Sequence, residues 1–417
     1  MAMTSAAQPD LHTDRAAHLP HWEFVAMIAL LMALNAAAID VYIPALSDIG
    51  QALGVTDENS RQWIISAYVL GFGGAQVIYG PLSDRFGRRR VLFTGLGIYV
   101  VAALAMIFAP TFGILIALRV VQGIGAAATR VVALSVVRDR FRGAQMASTM
   151  SLVMMVFMVM PVFAPNLGSA VLFFGDWREL AGVMCLIGVL ATVWAFLRLP
   201  ETLNPADRRE LTGRRVWEAL KVIFTNRLAF GYTLATGAFF GVLFSFVAQA
   251  EQVYTQVYGI GPAFTLYFSL VACFMAVSSF ANSRLVARFG TRRLSHGALT
   301  GFVLLGAVHL ALAVAYGGAT PFWLFIALLI PQFCFFGFIP TNFNALAMDP
   351  LGHVAGTASA VLGTVQTLGG GLLGALAGWF YNGSIVPMFT GFTVLGLLSL
   401  GLVAVAERGQ LYAAPRE

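Results

Sequence analysis

The chain has 417 residues, of which 59% are hydrophobic and 11% charged, with a mean hydropathy of +0.81. Soluble domains run at roughly 45–50% and 25%, so a water-facing globule cannot hide this much apolar surface and lipid must be its main solvent. The net charge of +6 is spread over the turns between apolar runs, which speaks against a nucleic-acid patch and fits attraction to anionic headgroups.

Residues 1–21 are polar and read as a cytoplasmic tail; the first apolar run has no small-residue cleavage site, so it is expected to stay as a helix. Runs of spanning length, about 20 residues, lie at 24–47, 62–82, 91–109, 112–136, 146–173 and 180–198. After a polar stretch they resume at 228–251, 262–285, 294–316, 321–346, 356–381 and 385–406. The expected fold is therefore an all-α membrane protein of twelve transmembrane helices in two pseudo-symmetric six-helix bundles. The bundles are expected over 22–198 and 228–407, with a cytoplasmic linker over 199–227 and a short tail over 408–417. Of the 25 Lys and Arg, 21 lie in the tails or in the turns after even-numbered runs, which places both termini in the cytoplasm.

An internal repeat supports the two-bundle reading. Leu82–Arg90 and Leu285–Arg293, 203 residues apart, agree at six of nine positions. Repeats of this kind build many transporters. In the first copy Gly80 and Gly87 permit a tight turn, and Asp84 precedes Arg85 and Arg88. The acid is free to cap the next helix or to pair with an arginine, as part of a cytoplasmic gate. The second copy has Ala287 in its place.

An ionised side chain inside an apolar helix costs several kcal/mol unless it is paired or watered, so each is a functional candidate. Asp40 lies in the first run and Arg119 in the fourth, at similar depths of roughly 10–12 Å from the outer end at 1.5 Å per residue. Pro44 removes the helical partner of the Asp40 carbonyl and should kink the helix there. The pair reads as a proton-coupling site in which a protonated Asp40 and a bound substrate compete. A plain lock between two helices is the alternative. Arg130 is either a second buried functional group or a snorkelling side chain, and Glu23 and Glu251 read as interfacial.

Met150, Met154 and Met158 form a four-residue stripe that serves packing or an adaptable apolar site. Phe239, Phe240 and Phe244, with Phe335, Phe336 and Phe338, add aromatic surface in the second half. Asn35, Gln76, Asn166, Gln249, Asn342 and Gln366 are polar groups at membrane depth, some of which must face a cavity. Gly370, Gly374 and Gly378 recur as a small-residue packing face. Cys185, Cys273 and Cys334 have no metal-ligand spacing, and there is no Walker loop, H-E-x-x-H or G-x-S-x-G. Neither an enzyme nor a cofactor or metal is expected.

At this point the motifs resemble those of the major facilitator superfamily. GPLSDRFGRRR (80–90) is similar to its signature turn, and LIALRVVQGIGAAA (115–128) to the fourth-helix motif of proton-coupled drug antiporters, which carries its arginine at Arg119. DVYIPAL (40–46), Arg138-Asp139, LPET (199–202) and HVAGTASAV (353–361) resemble the Bcr/CflA branch, which includes chloramphenicol, florfenicol and bicyclomycin exporters. The resemblance implies a proton site at Asp40, alternating access, and substrate contacts near Ile39, Met154, Met158, Phe239 and Phe240. With these, Asn35, Tyr42, Met150, Phe336 and Gln366 complete the expected cavity. Two departures are MPVFAPNLGS (160–169), with Asn166 where the antiporter motif is usually glycine-rich, and the lack of a second acid in the first helix. The expectation is an inner-membrane drug:proton antiporter, acting as a monomer on small amphipathic or apolar compounds. An amino-acid or sugar transporter on the same scaffold, or a non-transporting membrane sensor, remains open.

Overall fold

The computed structural model describes residues 19–57, 59–141, 143–204, 208 and 221–412. Eleven described helical segments are long and apolar enough to cross a bilayer. They are α1 (His21–Ala52), α2 (Asn59–Phe86), α3 (Arg88–Ile107), α4 (Phe112–Arg140), α6 (Trp177–Arg198), α7 (Arg227–Val257), α8 (Phe264–Phe289), α9 (Thr291–Ala315), α10 (Phe322–Leu351), α11 (Thr357–Trp379) and α12 (Val386–Ala406). Between α4 and α6 runs α5 (Gly143–Phe174), 32 residues long with Pro161 and Pro165 inside it. No strand occurs among the described residues.

Helix ends follow local chemistry. Asp176 caps α6 in a capping box with Glu179, and Thr111 and Asn226 cap α4 and α7. The two repeated turns share one backbone conformation. Gly87 between α2 and α3 has φ 96° and ψ 154°, and Gly290 between α8 and α9 has φ 77° and ψ 156°. Both lie where a side chain would be strained, so glycine is what allows the same turn twice.

α1 to α6 form one bundle and α7 to α12 the other. Small residues bring backbones together where the helices cross. A β-carbon on Gly71 would strike the Val120 carbonyl, and one on Gly123 the Tyr68 carbonyl, so α2 and α4 touch main chain to main chain. In the second bundle Gly370 and Gly374 of α11 meet Phe240 and Phe244 of α7, at 2.7 and 2.5 Å from an added β-carbon, and Gly378 meets Ala248 at 3.5 Å. The bundles pack on each other through α2 with α11 and α5 with α8. The outer surface is apolar, with Phe108, Phe173 and Phe174 at least three-quarters exposed, as a lipid-facing surface requires.

Residues 19 and 412, the first and last described, lie on one face, called here the terminal face. There Arg140 at the end of α4 donates to the Leu19 carbonyl, and Arg293 at the start of α9 to the Tyr412 carbonyl.

Candidate functional site

α1 is not one regular helix. Its α-helical part ends at Asp40, a turn follows at Val41 and Tyr42, and a 3-10 segment covers Ile43–Ala45 before the helix resumes. Pro44 explains the break: with no N–H it leaves the Asp40 carbonyl without its helical donor. The last carbonyls of the first segment are thereby orphaned at the negative end of a helix dipole.

Arg119 answers that need. Its Nη2 donates to the Ala38 carbonyl of α1 at 2.8 Å, its Nε to the Ile64 carbonyl of α2 at 2.9 Å, and its Nη1 to Gln122 Oε1 at 2.8 Å. The guanidinium lies 4.4 Å from the Tyr42 ring and 4.7 Å from the Tyr68 ring. Its donors are thus engaged on three helices, and cation–π contact satisfies its faces. Asp40 is 5% exposed, and no ion pair or hydrogen bond engages its carboxylate among the described residues. The two charges at similar depth therefore do not neutralise each other directly.

Asn35 is buried inside the first bundle, donating to Thr129 Oγ1 at 2.9 Å and accepting from Tyr68. Tyr42 is buried with its hydroxyl unpartnered among the described residues, and Ile39 and Met150 pack half-buried against the core. Met154 and Met158 lie outside the described side chains. In the second bundle Phe239 and Phe336 stack at 4.9 Å, with Phe302 at 5.0 Å from Phe239 and Phe240 at 5.6 Å from Phe336. Gln366, on a π-helical stretch of α11, donates to Asn344. No hydrogen bond or ring contact joins the two groups of residues among those described.

The residues of the turn after α2 converge with motifs far away in sequence. Arg88 pairs with Asp84 at 2.5 Å and with Asp139 at 2.9 Å, and also donates to Ser83. Glu201 accepts from the backbone N–H of Arg88 and of Arg89, Thr202 donates to Asp139, and Arg89 holds the Leu199 and Phe196 carbonyls. Asp84 thus pairs, while the capping role falls to Glu201, whose carboxylate lies against Gly87. Gly80 faces Ala360 of α11 at 3.8 Å from an added β-carbon, and Arg85 lies over Phe86. The worn second copy keeps part of this arrangement. Arg292, the counterpart of Arg89, pairs with Glu407 just after α12 at 2.8 Å.

Among the described residues, uncharged side chains bond across the seam between the bundles. Gln76 donates to Thr367 at 3.1 Å, and Asn166 to Ser269 at 2.6 Å. On the face opposite the termini, Gln62 donates to Gln252 at 2.8 Å, and Asn59 to the Trp379 and Tyr381 carbonyls. Towards the terminal face a cavity of about 80 Å³ lies between α2, α4 and α11.

The sequence profile described as Major Facilitator Superfamily matches residues 28–375. The chain belongs to the Major Facilitator Superfamily. It is therefore a multi-pass membrane protein of a family of transporters that act on small molecules. Two relatives carry the kind of name the motifs anticipated. The chain is 29% identical to the bicyclomycin resistance protein homolog of Haemophilus influenzae, over 91% of this chain and 94% of that one. It is also 29% identical to multidrug resistance protein D of Escherichia coli, over 91% and 93%. A D-xylose–proton symporter of known structure superposes with a TM-score of 0.71 at 14% identity, covering 92% of this chain and 95% of that one, which supports the superfamily fold.

Against this superfamily frame, sequence reasoning missed the far-face amides. Gln62 and Gln252 sit at helix ends, where a polar residue reads as solvated. It also missed Glu201 and Glu407 as acids of the turn. Asn166, marked as a departure from the antiporter motif, turns out to tie α5 to α8.

Proposed function

We propose that this protein is a proton-coupled antiporter of the inner membrane that exports small amphipathic or apolar compounds, works as a monomer and keeps both termini in the cytoplasm. The observation that carries the reading is the buried Asp40 carboxyl at a break in α1, unpaired among the described residues, while Arg119, at similar depth, spends a donor from each of its three nitrogens on Ala38, Ile64 and Gln122 instead. A carboxyl locked to Arg119 would stay ionised and inert. One held apart from it binds a proton when access changes, and its charge then alters what else binds beside it. The relatives' resistance names support export of drug-like compounds, and the arginine count of the turns supports the orientation. In each cycle a proton entering from outside neutralises Asp40 and substrate leaves; release of the proton inward restores the charge and readies the site for the next substrate.

The test is a resistance panel including bicyclomycin and chloramphenicol in an efflux-deficient host, wild type against Asp40→Asn, with proton-driven efflux followed in inverted vesicles. We expect resistance from the wild type and its loss in the variant at normal membrane levels. Full proton-driven export by Asp40→Asn would overturn the assignment. Uptake of a single sugar or amino acid without any resistance would favour a metabolite carrier.

A further inference from the structure

Arg130 has no role in the site described so far. It lies on α4 ten residues before Arg140, about 15 Å from the terminal end at 1.5 Å per residue, level with Gln76 of α2. Both line the cavity between α2, α4 and α11, whose wall continues through Gly363 and whose rim carries Asp84 and Arg138. Gln76, bonded to Thr367 across the seam, closes the deep end.

The charges on this wall do not cancel. Among the described residues Asp84 and Asp139 share Arg88, at 2.5 and 2.9 Å, and Arg138, which donates to the Ser135 hydroxyl at 3.3 Å, lies close enough to both acids to balance the second, so Arg130 is the charge left over. Arg130 has no hydrogen bond or ion pair among the described residues; its guanidinium rests 5.9 Å from the Phe72 ring. A guanidinium at this depth costs several kcal/mol unless something satisfies its donors, and one cation–π contact leaves the planar fork of N–H groups unused. That fork matches the paired oxygens of a carboxylate, phosphate or sulfonate.

We propose that Arg130 binds an anionic group of a ligand that enters this cavity from the terminal face. The group is an oxyanion, carried either by a small amphipathic compound or by a lipid headgroup. The inference rests on the export reading for what the ligand is for, and on the cavity alone for how it is held. It extends the substrate class from neutral apolar compounds to those with one acidic group at an aromatic or aliphatic end, the apolar part lying against Val77, Val131 and Leu134 of the cavity wall.

Anilinonaphthalene sulfonate and phenylnaphthylamine share a fused aromatic skeleton and differ by the sulfonate, so together they isolate the anion. Their fluorescence is titrated with the full chain in phosphatidylcholine nanodiscs, empty discs being subtracted. Replacing Arg130 by Gln should weaken sulfonate binding about ten- to hundredfold, with Arg130→Lys in between and the neutral probe unchanged. Equal sulfonate affinity in the wild type and Arg130→Gln overturns the proposal. If Arg130→Gln loses both probes because the cavity collapses, Arg130→Lys decides: a retained preference for the sulfonate supports the assignment and a lost one overturns it. Phosphatidylglycerol in the disc that displaces the sulfonate assigns the site to a lipid headgroup; no displacement assigns it to a soluble compound, and both support an oxyanion at Arg130. Asp40→Asn is expected to keep the Arg130-dependent binding, so the antiport reading and this one fail separately.

Discussion

Gln62 and Gln252 meet side chain to side chain across the seam between the bundles, amide nitrogen to amide oxygen at 2.8 Å. Neither carries a charge, and the Gly378 carbonyl at 3.2 Å accepts from the same nitrogen. By contrast Arg88 with Asp139 and Arg198 with Glu23 pair inside one bundle. Among the described residues, then, these ion pairs staple a bundle together, while neutral amides help join the two.

Gln62→Ala removes both bonds and should shift the population towards states open on that face. Two neutral hydrogen bonds contribute about 1–2 kcal/mol, or roughly five- to thirtyfold. In a cysteine-free background, Ser66→Cys beside the seam should react faster with a membrane-impermeant maleimide once Gln62 is gone. The increase should be insensitive to salt, since no exposed charges are involved. An unchanged rate would remove Gln62 from the seam.

Arg119→Lys keeps the charge and loses the geometry. One ammonium cannot reach the Ala38 carbonyl, the Ile64 carbonyl and Gln122 together. We expect at least one charged hydrogen bond to go, a loss of about 1.5–3 kcal/mol. It should be visible as a lower unfolding temperature in detergent together with reduced efflux. Wild-type stability would show that the three-helix tie is unnecessary.

Glu407 supplies the pH dependence. Burial of its carboxyl works against the charge, yet bonds from Tyr232 and Arg292 outweigh it and hold the group below its ordinary value of 4.5. A depressed carboxylate stabilises the fold fully above its unfolded value, and that contribution fades as pH falls through the folded one. Glu407→Gln should therefore lower the unfolding temperature at neutral pH, by the equivalent of about 1.5–3 kcal/mol. The gap from wild type should close in acid well below pH 4.5. A gap that persists there would assign the loss to packing.

Two glycines separate crowding from helix propensity. Gly123→Ala drives a β-carbon into the Tyr68 carbonyl, and overpacking of this kind costs about 1–3 kcal/mol. Gly97→Ala has nothing within 4 Å and should be neutral or stabilise by about 0.5–1 kcal/mol. Heating followed by size-exclusion chromatography ranks the two, and the reverse order would contradict the α2–α4 crossing.

The architecture was legible because bilayer-spanning helices are long apolar runs that any window detects. Asp40, Arg119 and Arg130 stood out for the same reason, as charges inside such runs. Arg119's actual partners did not, since a backbone carbonyl leaves no mark in a sequence and only the break at Pro44 hinted that one was free. The acids at Glu201 and Glu407 escaped notice because they lie beyond the helix ends and act on turns more than a hundred residues away. The run from 24 to 47 underestimates α1, which extends over His21–Ala52, because polar turns at both ends still hydrogen-bond as helix.

Gly370 and Gly374 offer two sockets to Phe240 and Phe244, which are likewise spaced by four on α7. A lattice with that pitch has detents: α7 fits α11 only in steps of four residues, about 6 Å at 1.5 Å per residue. Any half-step lifts a phenylalanine out of its hollow onto the neighbouring side chains. If these helices slide when the protein works, they should click from one notch to the next rather than glide.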